Sequence, residues 1–403
     1  MGVWVHSSLL SEQLFTVPDF SVVICTYNGE KKVPQVLEKL REVSTGPKDS
    51  LLPDRDFQWE VVVVDNNSSD RTAAVVQQCQ ADWQSNALAY GPKNVGSTPL
   101  RYCFEPRQGL AFARRRAIRE TQSPLIGFLD DDTLPTAEWV SAAVHFGWQH
   151  PEVGAYGSSI QGLYEVAPPK GFERIACCLA IINRGEVPFQ YASDRGVLPA
   201  GAGMVIRRQA WLEQVPAMPQ LTGVSANSLK AKGEDVETLS YIRRRWPVWH
   251  NPAMKLQHFI PKERLAPRYL QRLYWRIGIS RYPLRRLNYC TWQWPWMMTL
   301  YFISDLKKLL WKLVLTRQIG TVERCEFALL LGSWLSPFYC RTIPTPMSAN
   351  SQTANSQTAN SQTASSQTIE LLPSTATTTE LQNVMAAEQP SKKTTVTVGK
   401  SSS

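Results

Sequence analysis

The 403-residue sequence predicts an α/β domain built on a mainly parallel sheet, followed by a helical segment and a disordered tail. Three observations lead to this prediction. Short apolar runs alternate with amphipathic stretches over residues 19–260. The apolar runs carry almost no charge, as expected for strands that are covered on both faces. The loops between them are short, and a Ser/Thr-rich composition begins at Pro344.

The predicted elements follow one another in strand-helix order. An apolar run forms the first strand, and Pro34 opens the first helix because proline is favoured in a first turn. Four valines at 61–64 make the second strand, and the later runs are read in the same way. The expected strands are 21–26, 60–64, 100–104, 125–129, 153–159, 204–207 and 254–258, and the expected helices are 34–43, 70–83, 109–121 and 234–246.

The basic character of the chain lies in one segment. The net charge is +9, yet residues 262–317 hold 12 Lys or Arg and 2 Asp or Glu, so this segment carries +10 and the rest −1. This distribution argues against a nucleic-acid binder. It favours a local anionic partner, either lipid headgroups or a charged substrate.

The eight cysteines form no C-x-x-C pair and lie mostly in apolar runs, which is typical of small core residues in a reducing compartment. The first 20 residues lack a basic stretch followed by a long apolar one, and no apolar run reaches the roughly 18 residues of a membrane span. We therefore expect a cytoplasmic protein, either free or peripheral on the cytoplasmic face of the membrane.

Composition divides the chain into an N-terminal extension (1–18), the α/β domain (19–260), a basic aromatic-rich segment (261–343) and a tail (344–403). In the basic segment Arg264, Arg268, Arg272 and Arg276 recur every four residues and predict one amphipathic basic helix. Two aromatic stretches, 289–303 and 327–339, follow it. The segment suits either an anionic membrane surface or a helical cap on the domain. The Asn-Ser-Gln-Thr-Ala repeats of the tail predict disorder.

Three consecutive carboxylates, Asp130, Asp131 and Asp132, follow the apolar run 124–129. Open α/β sheets bind ligands at the carboxyl ends of their strands. Adjacent carboxylates repel one another, so a divalent metal that carries nucleotide phosphates is one explanation of the triplet. The alternative is a solvated turn that caps a helix beginning near Pro135.

Polar residues also end the first two strands. Thr26 and Asn28 follow the first strand, and Asp65 follows the valines of the second. The carboxyl ends of these strands should open onto the same crevice as the acid triplet. Asp65 would accept hydrogen bonds from a nucleobase or ribose, whereas Asp70 is better explained as a helix cap.

At five places, in order, the chain resembles the family 2 glycosyltransferases, which have the Rossmann-like GT-A fold. The matching motifs are residues 22–28, 60–72, 109–114, 128–132 and 233–235, and the resemblance covers about residues 19–260. The amino-acid sequences of residues 105–110 and 258–265 also resemble those of the cyanobacterial glycosyltransferases of hormogonium polysaccharide biosynthesis.

The resemblance implies a role for each matching position. It assigns nucleotide binding to Thr26, Asn28, Asp65, Arg114, Asp130 and Asp131, binding of Mg²⁺ or Mn²⁺ to Asp132, Asp130 and His258, and catalysis to Asp235 with Glu234 beside it. A single histidine is a weak signal, so a hydrogen-bonded, partly buried His258 stays open as the alternative. The turn 201–204 resembles the family's small-residue turn near the sugar, and an ordinary turn explains it as well.

The implied activity is that of an inverting, metal-dependent hexosyltransferase. Its partners would be a nucleotide-sugar donor, UDP-linked by preference, and a saccharide or lipid-linked acceptor in exopolysaccharide synthesis. Processive polymerases of the family carry a Q-x-x-R-W motif. Arg245 and Trp246 match its end, but Ile242 stands at the Gln position, so the resemblance favours single-sugar transfer over polymerisation.

Two other functions remain open. A sugar nucleotidyltransferase normally has a Gly-rich phosphate loop after its first strand, and residues 25–28 are not such a loop. A catalytically silent saccharide-binding protein would be expected to lack Asp132 or Asp235, and both are present.

Overall fold

The computed structural model describes residues 17–43, 57–90, 99–192, 197–221, 233–315 and 319–339. The predicted disorder of the tail, and most of the predicted N-terminal extension, fall outside these residues. The fold below therefore concerns the α/β domain and the basic segment.

Nine strands form one sheet. They are β1 (Phe20–Thr26), β2 (Trp59–Asp65), β3 (Leu100–Phe104), β4 (Leu125–Asp130), β5 (Thr133–Pro135), β6 (Ala155–Tyr164), β7 (Phe189–Gln190), β8 (Met204–Arg207) and β9 (Val248–Ile260). Their order is β3-β2-β1-β4-β8-β6-β9-β5, with β7 beside β9. The four strands β3-β2-β1-β4 are parallel, as is the pair β6–β9, whereas β5, β7 and β8 pair antiparallel with their neighbours. The predicted α/β class is confirmed, with a parallel first half and a mixed second half.

Ten α-helices accompany the sheet in the described residues. They are α1 (Val33–Arg41), α2 (Thr72–Tyr90), α3 (Leu110–Glu120), α4 (Trp139–Gln149), α5 (Arg208–Gln214), α6 (Glu234–Ile242), α7 (Lys262–Leu265), α8 (Pro267–Arg286), α9 (Trp294–Leu315) and α10 (Thr321–Tyr339). Helices cover both faces of the sheet. Buried residues of α1, α2 and α4 form one core cluster, and those of α3, α5 and α6 form the other. This is why the central strands β1, β2 and β4 are mostly apolar and are buried along almost their whole length.

Several predicted elements differ from the structure, among them α2, which ends at Tyr90 instead of residue 83, and β6, which ends at Tyr164 instead of residue 159. β9 has 13 residues and starts at Val248, whereas the prediction was 254–258. The strand continues through Pro252, which cannot donate to a ladder, because this proline lies where the register against β6 shifts between Ser158 and Ser159. The helix predicted at 234–246 ends at Ile242, before Pro247. No helix begins near Pro135, because Thr133–Pro135 forms β5 and α4 starts at Trp139.

The cysteines are only partly core residues. Cys25, Cys103 and Cys325 are buried thiols, whereas Cys177 and Cys290 are exposed. The prediction of a core role is therefore wrong for the last two, which lie in or beside short helical turns rather than in buried strands.

The basic segment folds as four helices, so the prediction of one helix through all four arginines is wrong. Ala266 has extended backbone and Pro267 opens α8, so Arg264 lies on the separate helix α7. Helices α8 and α10 cross closely: a Cβ at Gly278 would lie 2.5 Å from the carbonyl oxygen of Leu329. None of the helices in the described part of the chain is long and apolar enough to cross a membrane.

A buried histidine, His250, gives a stability prediction. Its ring lies 5.2 Å from that of Phe189, and neither ring nitrogen has a hydrogen-bond partner among the described residues. Burial and the nearby charge of Arg184 lower the pKa of His250, with Glu186 opposing them. Because the folded state holds this ring neutral, stability is fully present above the unfolded-state pKa of about 6.5 and is lost as pH falls below it.

We therefore expect His250→Phe to reduce the loss of unfolding free energy that occurs as the pH falls. Above about pH 7.5 the variant should be less stable by a constant amount of about 1–3 kcal/mol, because the larger phenyl ring must fit a filled site, and below about pH 6 it should gain on the wild type. Thermal unfolding across this pH range measures it. A constant difference in melting temperature would show that protonation of His250 does not contribute to the acid sensitivity.

Candidate active site

The carboxyl ends of the three central parallel strands meet at one edge of the sheet. In the register of the strands, Thr26 of β1 lies beside Asp65 of β2, and Cys25 of β1 lies beside Asp130 of β4. The convergence that the sequence predicted is therefore present. The side chains that follow these strand ends form the candidate site.

Asp65 is buried at the end of β2 and is held at both carboxylate oxygens. The hydroxyl of Tyr102 donates to Oδ2 at 2.8 Å, and the backbone N–H of Ser68 donates to Oδ1 at 2.9 Å. Asn28 holds the neighbouring loop, since its Oδ1 accepts from the N–H of Ser69 at 2.9 Å and its own φ is 54°. These contacts fix the two loops that border the crevice.

The three acids after β4 face different partners. Asp131 accepts hydrogen bonds from the Thr26 hydroxyl at 2.8 Å and from the Lys32 ammonium at 3.0 Å. Asp132 accepts from the Arg264 guanidinium at 2.7 Å. Burial, with the nearby charge of Asp132, raises the pKa of Asp130 to about 6, although Arg114 opposes the shift. Charge repulsion within the triplet is thus relieved in part by two cations of the chain itself.

His258 is brought to Asp132 by the strand β5. Thr133 pairs with His258 across the β5–β9 ladder, and the imidazole Nε2 lies 3.3 Å from Asp132 Oδ1. Burial alone would raise the pKa of Asp132, but the hydrogen bond and charge of His258 and the charge of Arg264 lower it below its ordinary value. The Nδ1 of His258 is buried and has no hydrogen-bond partner among the described residues. His258 is therefore buried, but not fully hydrogen-bonded.

The predicted metal ligands are only partly assembled. Asp132 and His258 are adjacent, but the described residues contain no cluster of three or more His, Cys, Asp or Glu side chains arranged to hold a metal. Asp130 therefore does not complete a three-residue group with them. A carboxylate oxygen and an imidazole nitrogen are both accepted by Mn²⁺, so this pair suits a metal whose other ligands come from a substrate and water.

Glu234 and Asp235 lie in the first turn of α6, where the helix dipole favours carboxylates. Asp235 Oδ2 accepts from the backbone N–H of Gly201 at 3.0 Å, and Oδ1 accepts from that of Val236 at 2.8 Å. Glu234 is buried, and Arg114 Nη1 donates to its Oε1 at 3.5 Å. Burial and the adjacent charge of Asp235 raise the pKa of Glu234, against the opposing effect of Arg114.

Arg114 connects the two groups of acids. Its buried guanidinium lies 5.7 Å from the ring centroid of Phe128. Burial would lower the pKa of Arg114, but the charges of Glu234, Asp235 and Asp130 raise it overall. The turn at Gly201 closes over this arginine: a Cβ there would lie 2.3 Å from Arg114 Nη2. The geometry makes Arg114 a counterion between the strand-end acids and α6.

Three residues of the site were not predicted. Lys32 and Arg264 neutralise Asp131 and Asp132, and Tyr102 holds Asp65. Arg264 was assigned to a longer amphipathic helix, because the four-residue spacing of the arginines continues past the break at Ala266 and Pro267. Lys32 and Tyr102 carry no signal of their own, because their contacts join residues that are far apart in sequence.

The sequence of this chain is similar to one family model and to several known proteins. The family model described as glycosyl transferase family 2 matches residues 21–208. Dolichyl-phosphate beta-glucosyltransferase ALG5D of Trichomonas vaginalis is 36% identical over 76 residues, which are 19% of this chain and 22% of that protein. Validoxylamine A glucosyltransferase of Streptomyces hygroscopicus subsp. limoneus is 30% identical over 135 residues, which are 32% of this chain and 24% of that one. The matched part thus spans under a quarter of either relative.

Solved structures resemble the chain more distantly. The mannosyltransferase PcManGT from Pyrobaculum calidifontis, in complex with GDP-Man and Mn²⁺, has a TM-score of 0.44 and 17% identity, over 86% of this chain and 81% of that one. S. aureus TarS 1–349 in complex with UDP-GlcNAc has a TM-score of 0.39 and 16% identity, over 65% and 66% of the chains. Structural similarities of this size give no information about the ligands of this chain.

Proposed function

Because the model of glycosyl transferase family 2 matches residues 21–208, we propose that this protein transfers a single sugar from a nucleotide-sugar donor to an acceptor hydroxyl, with inversion at the anomeric carbon. One observation carries the proposal. Asp130 at the end of β4 and the two acids that open α6, Glu234 and Asp235, act on the buried guanidinium of Arg114, beside the polar ends of β1 and β2.

The nucleotide would bind at the strand ends. Asp65, buried and fixed by Tyr102 and Ser68, presents an acceptor to an N–H of the base, and uracil has such a group. Thr26, Asn28 and Asp131 line the same crevice and would hold the nucleotide's ribose and phosphates through their loops. UDP is therefore the first nucleotide to test.

A divalent cation, Mg²⁺ or Mn²⁺, fits the pair Asp132 and His258. The Nε2 of His258, 3.3 Å from Asp132 Oδ1, and that carboxylate would supply a nitrogen and an oxygen ligand, and the diphosphate of the sugar donor would complete the ligand set. Such an ion would neutralise negative charge that develops on the leaving nucleoside diphosphate. Arg264, 2.7 Å from Asp132, and Lys32 would add positive charge beside the same phosphates.

Asp235 is the better candidate for the general base. An acceptor hydroxyl is a weak nucleophile at neutral pH, so a carboxylate must remove its proton as it attacks the anomeric carbon. Asp235 is partly exposed and is oriented by the N–H groups of Gly201 and Val236, whereas Glu234 is buried against Arg114. We assign Glu234 and Arg114 a positioning role, because they set the orientation of the first turn of α6.

The acceptor is a saccharide or a lipid-linked saccharide, and the product belongs to exopolysaccharide synthesis. This part of the proposal is supported by the resemblance of residues 105–110 and 258–265 to the cyanobacterial glycosyltransferases of hormogonium polysaccharide biosynthesis. We also propose that the protein works as a peripheral protein on the cytoplasmic face of a membrane, which the charge of +10 in residues 262–317 favours.

A donor panel tests the proposal. Purified protein is incubated with UDP-, GDP- and dTDP-linked sugars, with Mn²⁺ or with a chelator, and release of nucleoside diphosphate is measured. Faster release from one donor, dependent on Mn²⁺, is the expected result. Equal and background release from every donor would reject transfer from a nucleotide sugar.

A further inference from the structure

Helix α9 has an apolar face that the described part of the chain leaves uncovered. Six large apolar residues on this face are between 54 and 79% exposed. They recur at the three- and four-residue spacing that puts side chains on one side of a helix. These residues, here called the outer stripe, are Trp296, Leu300, Ile303, Leu310, Trp311 and Val314.

The opposite face of α9 is fixed to the protein. Asp305 is buried and accepts hydrogen bonds from Arg285 on α8 and Ser333 on α10, both at 2.6 Å. Phe302 stacks on Trp334 with ring centroids 5.0 Å apart. These contacts fix which side of the helix points outward.

The charges of α9 divide between its two faces in the same way. Its single acidic residue is Asp305, on the inner face, whereas Lys307 and Lys308 are exposed in the middle of the helix. The outward side is therefore apolar, aromatic and cationic, with no carboxylate from α9. Tryptophan with Lys on an amphipathic helix is the composition that favours the headgroup region of an anionic bilayer.

We propose that the outer stripe of α9 docks on an anionic membrane surface, with α9 lying in the plane of the headgroups. A second copy of the chain fits this face less well. A twofold pairing through the middle of the helix would bring Lys307 against its own copy in an apolar contact, which costs desolvation and repulsion. This inference rests on the peripheral membrane location proposed above and names the surface that makes the contact; a vesicle assay without nucleotide tests it separately from sugar transfer.

The surface also differs from the one that the arginine spacing suggested. Arg264, the first of the four arginines, lies on α7 and binds Asp132. The stripe on α9 instead combines exposed Trp side chains with Lys307 and Lys308 on the same helix.

Co-sedimentation of the full chain with vesicles tests the proposal. The vesicles contain either phosphatidylcholine alone or equal parts of phosphatidylcholine and phosphatidylglycerol, at low salt. Wild-type protein is expected in the pellet with the anionic vesicles only. The variant Trp296→Gln, Ile303→Gln, Trp311→Gln should remain in the supernatant, and Lys307→Glu with Lys308→Glu should bind roughly tenfold or more weakly.

A matched control places the same substitutions on exposed apolar residues of the α/β domain. Val187→Gln, Leu212→Gln, Met218→Gln should bind vesicles as wild type does, because these residues are comparably exposed but outside α9. Equal melting temperatures of the two triple variants exclude unfolding as the cause.

Three results would overturn the inference. They are wild-type protein that stays in the supernatant, an outer-stripe variant that pellets like wild type, and a wild-type dimer that this variant turns into a monomer, which light scattering would detect. Loss of binding in Arg268→Glu with Arg272→Glu, beside normal binding of the outer-stripe variant, would place the contact on α8 instead.

Discussion

Asp235→Asn is expected to lower turnover by about a hundredfold or more while donor affinity stays close to that of the wild type. The change is nearly isosteric, so the contacts to the N–H groups of Gly201 and Val236 can persist through the amide oxygen. An amide cannot take the proton of an acceptor hydroxyl. Steady-state release of nucleoside diphosphate with acceptor present, together with calorimetry of donor binding, measures the two effects separately.

The same chemical change on the surface provides the control. Asp82→Asn on α2 removes an exposed carboxylate that accepts a hydrogen bond from the Gln78 side chain on the same helix, and it should leave turnover unchanged. Full turnover in Asp235→Asn would move the base elsewhere. Glu234→Gln would then be the next variant, because Glu234 is adjacent and its pKa is raised by burial.

Asp132→Ala is expected to weaken Mn²⁺-dependent nucleotide binding by about a hundredfold or more, because the chain loses one of its two proposed metal ligands. The Asp132 side chain is 18% exposed and contacts both Arg264 and the buried His258, so the variant should be less stable than the wild type, and its melting temperature is measured first to show that it is folded. Calorimetry with UDP, with and without Mn²⁺, measures the change.

A second variant separates the metal from the ion pair. Arg264→Ala removes the guanidinium that contacts Asp132 but keeps both proposed ligands, so Mn²⁺ dependence should remain. If Asp132→Ala binds UDP and Mn²⁺ as tightly as wild type does, the assignment of the metal to this carboxylate is wrong.

The sequence predicted the part of the site that depends on strand order. Thr26, Asp65 and Asp130 each follow an apolar run, and parallel strands with helical crossovers bring their carboxyl ends to one edge. The order of the elements therefore sufficed to bring these residues together, without any knowledge of side-chain positions.

The sequence could not predict which cations neutralise the acids. Lys32 reaches Asp131 from the start of α1, and Arg264 reaches Asp132 through the pairing of the three-residue strand β5 with β9. Short strands have no detectable hydrophobic period, so the pairing of β5 with β9 could not be predicted from the sequence. The break at Ala266 was hidden for a similar reason, because the arginine spacing continues through it.

The sequence also could not predict which face of α9 points outward. The aromatic stretch was recognised, but its spacing alone leaves open which side is covered. That choice depends on the contacts of Asp305 with α8 and α10, which join residues from three helices.

The most direct test of the account is to identify the phosphorus-containing products by ³¹P NMR. The wild-type enzyme is incubated with Mn²⁺, an acceptor extract and the donor selected from the panel. The account predicts that the donor's diphosphate signals are replaced by those of a nucleoside diphosphate, with no sugar 1-phosphate. A nucleoside triphosphate and sugar 1-phosphate, formed on addition of pyrophosphate, would instead identify a sugar nucleotidyltransferase, and unchanged spectra with every donor would identify a silent binding protein; either result would contradict the account.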